Sequence, residues 1–209
     1  MEEKDTNKIE ISVGVDEVGR GPIAGPVCVC AFALKENLCE SFVKEAKEFL
    51  NLPLRDSKKL TKKCREKWFV YLKRQKEKGL CDYQATFVSN EMIDKFGITK
   101  CIGKAVNESL KKIVLLQTED AYKILLDGGL KAPKEFKNQE SYVKGDEIYP
   151  IISLASIIAK VSRDKVMENY AKEYKEYNFD KNVGYGTGAH YEAIKRCGLT
   201  KIHRKSFIH

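Results

Sequence analysis

Gly14-Val15-Asp16-Glu17-Val18-Gly19-Arg20-Gly21-Pro22-Ile23-Ala24-Gly25-Pro26 is the stretch on which the reading of this chain turns. Just before it, Ile11, Val13 and Val15 alternate with small or polar residues, the period of a half-buried strand. Just after it, Val27-Cys28-Val29-Cys30-Ala31-Phe32 is almost wholly apolar, as in a strand covered on both faces. The short link from Pro22 to Pro26 makes strands at 10–16 and 27–34 an antiparallel pair. The first strand ends in two adjacent carboxylates, Asp16 and Glu17, and hard cations such as Mg2+ and Mn2+ take oxygen ligands. Gly19 and Gly21 allow a ligand close to the backbone, and Arg20 between them adds a fixed positive charge suited to phosphate. Together these features point to phosphodiester chemistry.

Working outward, helical spacing predicts a helix over Cys39 to Phe49, then a loop from Leu52 to Leu60 that contains Asp56-Ser57-Lys58-Lys59. Thr61 reads as the N-cap of a helix to about Lys78, closed by Gly79, with Trp68 on its core side. A strand over Cys81 to Val88 and a helix over Thr99 to Leu115 follow. Lys123 to Asp127 reads as a buried strand broken by Gly128-Gly129, and Tyr142-Val143 as a short strand before Lys144-Gly145-Asp146. Ile151 to about Tyr174 predicts a long helix, Asn182 to Thr187 a glycine-rich loop, and Ala189 to Arg196 a last helix closed by Gly198. The expected fold is α/β: one mixed β-sheet domain over residues 1–209, flanked by helices, with a mostly helical part over about 151–209.

With 209 residues and 43% hydrophobic content, the chain can bury one sizeable core. A net charge of +8 and a pI near 9.0 favour nucleic acid as partner over an anionic membrane surface. No apolar run approaches the roughly 18 residues of a membrane span, and the charged start lacks a signal-peptide core. The seven cysteines are odd in number and form no Cys-x-x-Cys pair, which predicts reduced thiols in a cytoplasmic protein and no zinc site.

Asp16, Glu17, Asp127 and Asp146 share one trait: each follows an apolar stretch and sits beside glycine or a turn. If they converge, they repel one another until divalent cations bind between them, and two metals about 4 Å apart serve an in-line displacement. Any one of them alone also fits a solvated turn. Lys58 and Lys59 suit either phosphate contact or a solvated loop, and Asp164 reads as an ion-pair partner within its helix. His190 and His203 could orient groups near a site, but neither has metal-ligand spacing to a second histidine.

These blocks, in order, resemble ribonuclease HII. The resemblance rests on the opening Asp-Glu and Gly-Arg-Gly motif, Asp56-Ser57-Lys58-Lys59-Leu60, Leu126-Asp127-Gly128 and Lys144-Gly145-Asp146. It continues through Ala155-Ser156-Ile157-Ile158-Ala159-Lys160-Val161-Ser162-Arg163-Asp164, Gly184-Tyr185-Gly186-Thr187 with His190, and His203-Arg204-Lys205-Ser206-Phe207. It implies a ribonuclease-H-like fold and a metal-dependent endonuclease, with Mg2+ or Mn2+, acting on RNA paired with DNA and on single ribonucleotides in duplex DNA. Incision 5′ to the ribonucleotide would leave 3′-hydroxyl and 5′-phosphate. On this resemblance the catalytic and metal-binding acids are Asp16, Glu17, Asp127 and Asp146, Gly19, Arg20 and Gly21 read the ribose, and Tyr185 stacks on the sugar at the RNA–DNA junction. A monomer is implied. The chain stops two residues after Phe207, so the C-terminal extension with which some members dock on a sliding clamp is missing and clamp docking is not expected. A resolvase-like or integrase-like nuclease would share the acids and charge but not Gly19–Gly21 with Tyr185. A non-catalytic nucleic-acid-binding module would account for the charge alone.

Overall fold

The computed structural model describes residues 11–54, 57–114 and 121–208. β1 (Ile11–Val18) and β2 (Val27–Lys35) pair antiparallel as expected, with Asp16 opposite Cys30. α1 (Cys39–Leu50) and α2 (Lys62–Glu77) follow, and the Thr61 hydroxyl caps α2 by accepting from the Cys64 N–H. β3 (Asp82–Val88) adds antiparallel to the outer side of β2. α3 (Asn90–Phe96) and α4 (Ile98–Val114) come next. Sequence periodicity does not announce α3, a two-turn helix whose buried residues are Asn90 and Ile93. β4 (Tyr122–Asp127) lies parallel to β1, and β5 (Gln139–Tyr142) parallel to β4, giving the order β3-β2-β1-β4-β5. β5 begins three residues before the expected Tyr142. Its Gln-Glu-Ser-Tyr sequence is an exposed edge without apolar alternation.

The sheet is buried on both sides. Alternate residues of β1, β2 and β4 (Val13, Val15, Val29, Ile124, Leu126) pack on Ile93, Ile102, Val106 and Leu110 of α3 and α4. The others (Cys28, Cys30, Phe32, Leu125) pack on Trp68 and Leu72 of α2 and on Ile151, Leu154 and Ile158 of the long helix α6 (Pro150–Glu173), which the one-turn α5 (Gly145–Ile148) precedes. α6 presses so close to β1 that a Cβ on Gly14 would lie 2.3 Å from the Ile151 carbonyl oxygen. Beyond the sheet, α7 (Phe179–Asn182) and α8 (Gly188–Cys197) close a small third cluster of Met167, Tyr177, Phe179, Ala193 and Ile202 around Ala24. All seven cysteines are free thiols, and among the described residues no helix is long and apolar enough to cross a membrane.

Candidate active site

Register brings the acids together. β1 and β4 run parallel with Val15 beside Leu126, so Asp16 and Asp127 end adjacent strands side by side. Both fall on the α6 face by strand alternation, whereas Glu17 starts toward the opposite face. β5 then delivers Asp146: after Tyr142, Lys144 turns the chain back with a left-handed φ of 56°, and the Asp146 N–H points at the Asp127 carboxylate across 3.4 Å. One ligand oxygen each from Asp16, Asp127 and Asp146 lies within 4.8 Å of the others. Glu17 stands just outside that group, half-buried, with Arg20 at 3.7 Å. Asp164 lies elsewhere, paired with Lys160 at 2.8 Å and Arg65 at 3.9 Å, as an ion-pair residue should be.

The cluster is electrostatically unfinished. Burial pushes the Asp16 carboxyl up to about 8, and the Asp127 and Glu17 charges push the same way; a hydrogen bond from the Ser156 hydroxyl and one from the Glu17 N–H at 2.7 Å oppose them. Glu17 is also raised, by burial first, with Arg20 pulling it down and Asp127 adding to the rise. Nearby cations have partners of their own: Arg20 takes Glu17, and Lys59 takes Glu147 at 2.9 Å. Hard oxygen donors, burial and unrelieved repulsion are what a divalent cation resolves, so these residues fit such an ion. Ser156 on α6 touches Ser57 at 2.8 Å, which fixes the 3-10 turn Ser57–Lys59 against the helix beneath Asp16. Lys58 and Lys59 are exposed on that turn, and Asp56 lies outside the described residues.

The Gly19–Pro26 turn is built the opposite way. Two arginines, Arg163 of α6 and Arg204, are fully buried, and among the described residues neither has a carboxylate partner. Their guanidinium groups donate only to carbonyls. Arg163 takes those of Pro26 (2.8 Å), Val183 (2.9 Å) and Ala24 (3.2 Å); Arg204 takes those of Gly25 (2.9 Å), Arg20 (3.1 Å) and Gly19 (2.7 Å). Burial lowers the pKa of Arg163, and burial together with the Arg163 charge lowers that of Arg204 to about 9, which leaves both cationic at neutral pH. Gly19 is required here. Its φ is +89°, and a Cβ would meet Arg163 Nε at 2.2 Å.

These contacts decide what the turn offers outward. Among the described residues no peptide is cis, and in a trans peptide C=O and N–H point opposite ways. Carbonyls of Gly19 and Arg20 drawn inward by Arg204 therefore turn the N–H groups of Arg20 and Gly21 outward. The Gly184 carbonyl accepts from the N–H groups of Ile23 (2.9 Å) and Ala24 (3.2 Å), which binds the next loop to this one. Tyr185, half-exposed, follows directly, and a Cβ at Gly21 would stand 3.7 Å from its ring. Gly19, Arg20, Gly21 and Tyr185 thus share one surface; Arg163 and Arg204 behind the turn, and Ser57 and Ser156 beneath Asp16, emerge as residues that sequence reading left without a role.

A sequence model of the family described as ribonuclease HII matches residues 13–209. The ribonuclease HII of Fusobacterium nucleatum is 41% identical over 94% of this chain and 85% of its own. Among solved structures, the ribonuclease H2 of Pyrococcus horikoshii OT3 superposes with a TM-score of 0.67 at 26% identity, covering 94% of this chain and 93% of that one. The ribonuclease HII of Archaeoglobus fulgidus, solved in complex with PCNA, shares the fold with a TM-score of 0.70 at 23% identity over 95% and 96% of the two chains. With the ribonuclease-H-like sheet and the three converging aspartates, this places the chain in the ribonuclease HII family of metal-dependent endonucleases.

Proposed function

We propose that this enzyme hydrolyses the phosphodiester 5′ to a ribonucleotide, in RNA/DNA hybrids and at single ribonucleotides embedded in duplex DNA, leaving 3′-hydroxyl and 5′-phosphate ends. In this reading it removes misincorporated ribonucleotides and RNA primers, as a monomer in the cytoplasm, with residues 1–209 forming one ribonuclease-H-like domain. The supporting observation is a juxtaposition. Three carboxylates have ligand oxygens within 4.8 Å of one another, and one of them, Asp16, stands on the strand that leads into a turn with outward N–H groups beside an aromatic ring.

Asp16, Glu17, Asp127 and Asp146 would hold two divalent cations, Mg2+ or Mn2+, which when bound supply a nucleophile at neutral pH and neutralise charge at the leaving 3′ oxygen. The chain's own groups do the selecting. The N–H groups of Arg20 and Gly21 donate to the 2′-hydroxyl, the group that separates RNA from DNA at a site. The Tyr185 ring packs on the following deoxyribose, and Arg20, Lys58 and Lys59 meet phosphates. The Ser156 hydroxyl and the Glu17 N–H donate to the Asp16 carboxylate and would orient it toward the ions.

A digest of duplex DNA carrying one ribonucleotide, with Mg2+, with Mn2+ and with EDTA, tests this reading. The expected product is a single nick 5′ to the ribonucleotide with a 3′-hydroxyl end, absent in EDTA and absent on all-DNA duplex. Cleavage of all-DNA duplex at a comparable rate would rule it out.

A further inference from the structure

Behind Tyr185 lie two histidines, His190 and His203, both fully buried. His190 Nδ1 is 2.8 Å from the Tyr185 carbonyl, the two Nε2 atoms are 3.0 Å apart, and His203 Nδ1 receives the Thr200 N–H at 2.9 Å. Only one proton arrangement satisfies every contact. A carbonyl can only accept, so His190 carries its proton on Nδ1; an N–H donates to His203 Nδ1, so His203 carries its proton on Nε2 and gives it to His190 Nε2. The chain of bonds runs one way, from the Thr200 amide through both rings to the Tyr185 carbonyl. Phe179 stands edge-on to His190 at 5.2 Å and Tyr177 edge-on to His203 at 5.3 Å, closing the rings off from water. Water therefore cannot replace a lost contact.

We propose that His203 and His190 are positioning residues for Tyr185: a proton-ordered strut that holds its carbonyl and aims its ring beside Gly21. The proposal rests on the junction-sensing role given to Tyr185 above. The strut starts from the same segment as Arg204, which turns the Arg20 and Gly21 N–H groups outward. The dipeptide His203-Arg204 therefore sets both halves of the sugar-reading surface, the backbone donors through one side chain and the aromatic ring through the other. His190 is itself fixed, because its N–H donates to the Thr187 hydroxyl at the start of α8.

The test is a double-mutant cycle on the whole protein, reading kcat/KM for duplex DNA with one ribonucleotide and for an all-RNA/DNA hybrid. His190→Gln and His203→Gln should each cost about fivefold or more on the single-ribonucleotide substrate, since a small misplacement of a positioning group costs up to about a hundredfold. In a Tyr185→Ala background the same changes should cost less than about twofold, because the group they position is gone. Full losses in both backgrounds would overturn the strut while leaving the role of Tyr185 intact. Equal losses from Tyr185→Ala on both substrates would remove that role and the strut with it. Should the glutamine variants fail to fold, Thr200→Val serves the same cycle, removing one hydroxyl contact to His203 and keeping both rings. Imidazole 1H–15N spectra of the wild type give an independent readout: the protons are expected on His190 Nδ1 and His203 Nε2, and the opposite tautomers would overturn the proposal.

Discussion

The acid cluster and the Gly19–Pro26 turn meet at the end of β1, where Asp16 precedes Gly19 by three residues, yet they are stabilised in opposite senses. At Asp16, Asp127 and Asp146, like charges are gathered within 4.8 Å of one another, and Asp16 is held well above the usual carboxylate range by burial and by the Asp127 and Glu17 charges. At the turn, two buried cations meet six carbonyl oxygens, five of the turn itself and one of Val183, and want nothing from outside. A site that must take up ions gains from being incomplete alone, because the repulsion is released on binding. A site that must tell one hydroxyl from a hydrogen gains from being complete beforehand, since pre-aimed donors need no reorganisation. The same helix serves both: Ser156 reaches the acids and Arg163, two turns on, reaches the turn.

The hardest blow to this contrast comes from the acid side. Asp127→Asn or Asp16→Asn should cut kcat by about a thousandfold or more, since metal catalysis is worth several kcal/mol, while the circular dichroism spectrum stays native. Near-wild-type turnover at saturating Mg2+ would dissolve the cluster's role. On the other side, Tyr185→Ala should lower kcat/KM at a single ribonucleotide by about ten- to hundredfold, the worth of one stacking contact, and spare a long hybrid. Comparable losses on the two substrates would reduce Tyr185 to general binding.

Stability separates the two regions further. Arg204→Met strips three buried carbonyls of their donors, each worth about 1–3 kcal/mol when orphaned, and should lower the melting temperature by about 6 °C or more. An unchanged midpoint would show that the turn does not depend on its arginines. Asp16→Asn should do the reverse in EDTA and raise the midpoint by about 2 °C or more, by relieving repulsion in the empty cluster. A clear fall would mean that the carboxylates stabilise one another without metal.

The smallest effect is one of pH. Burial, then the neighbouring His190, lowers His203 from its ordinary 6.5 to about 4, and burial lowers His190 too. The unfolded chain takes up protons below about 6.5 that folded His203 refuses until about 4, and His190 is shifted the same way. Their contribution to stability is thus complete above 6.5 and declines as pH falls through that window. Denaturant midpoints for wild type and His203→Gln should converge between pH 7 and pH 4. A gap that stays constant would remove the histidines from the acid response.

Much of this was legible in the residues, for identifiable reasons. Apolar runs marked β1, β2 and β4, Thr61 and Gly198 marked helix ends, and the acids stood out as carboxylates abutting apolar strands. α3 was not legible, and β5 was anticipated only at its last residue, Tyr142, because a two-turn helix and a polar edge strand bury too few side chains to leave a period. Arg163 and Arg204 were invisible as site residues for a different reason. Their partners are backbone carbonyls, and carbonyls carry no residue identity: nothing about Ala24 or Pro26 as side chains says that an arginine 137 or more residues away must reach them. The same holds for His190, whose partner at Tyr185 is the main chain.

Arg204 is bonded to Gly19 across 185 residues of chain. A ribosome makes the acids Asp16, Asp127 and Asp146 well before it makes Arg204, and chains fold as they emerge. The Gly19–Pro26 turn can therefore be completed only once residue 204 has been made, and contacts this far apart in sequence are among the slowest to form as a chain folds.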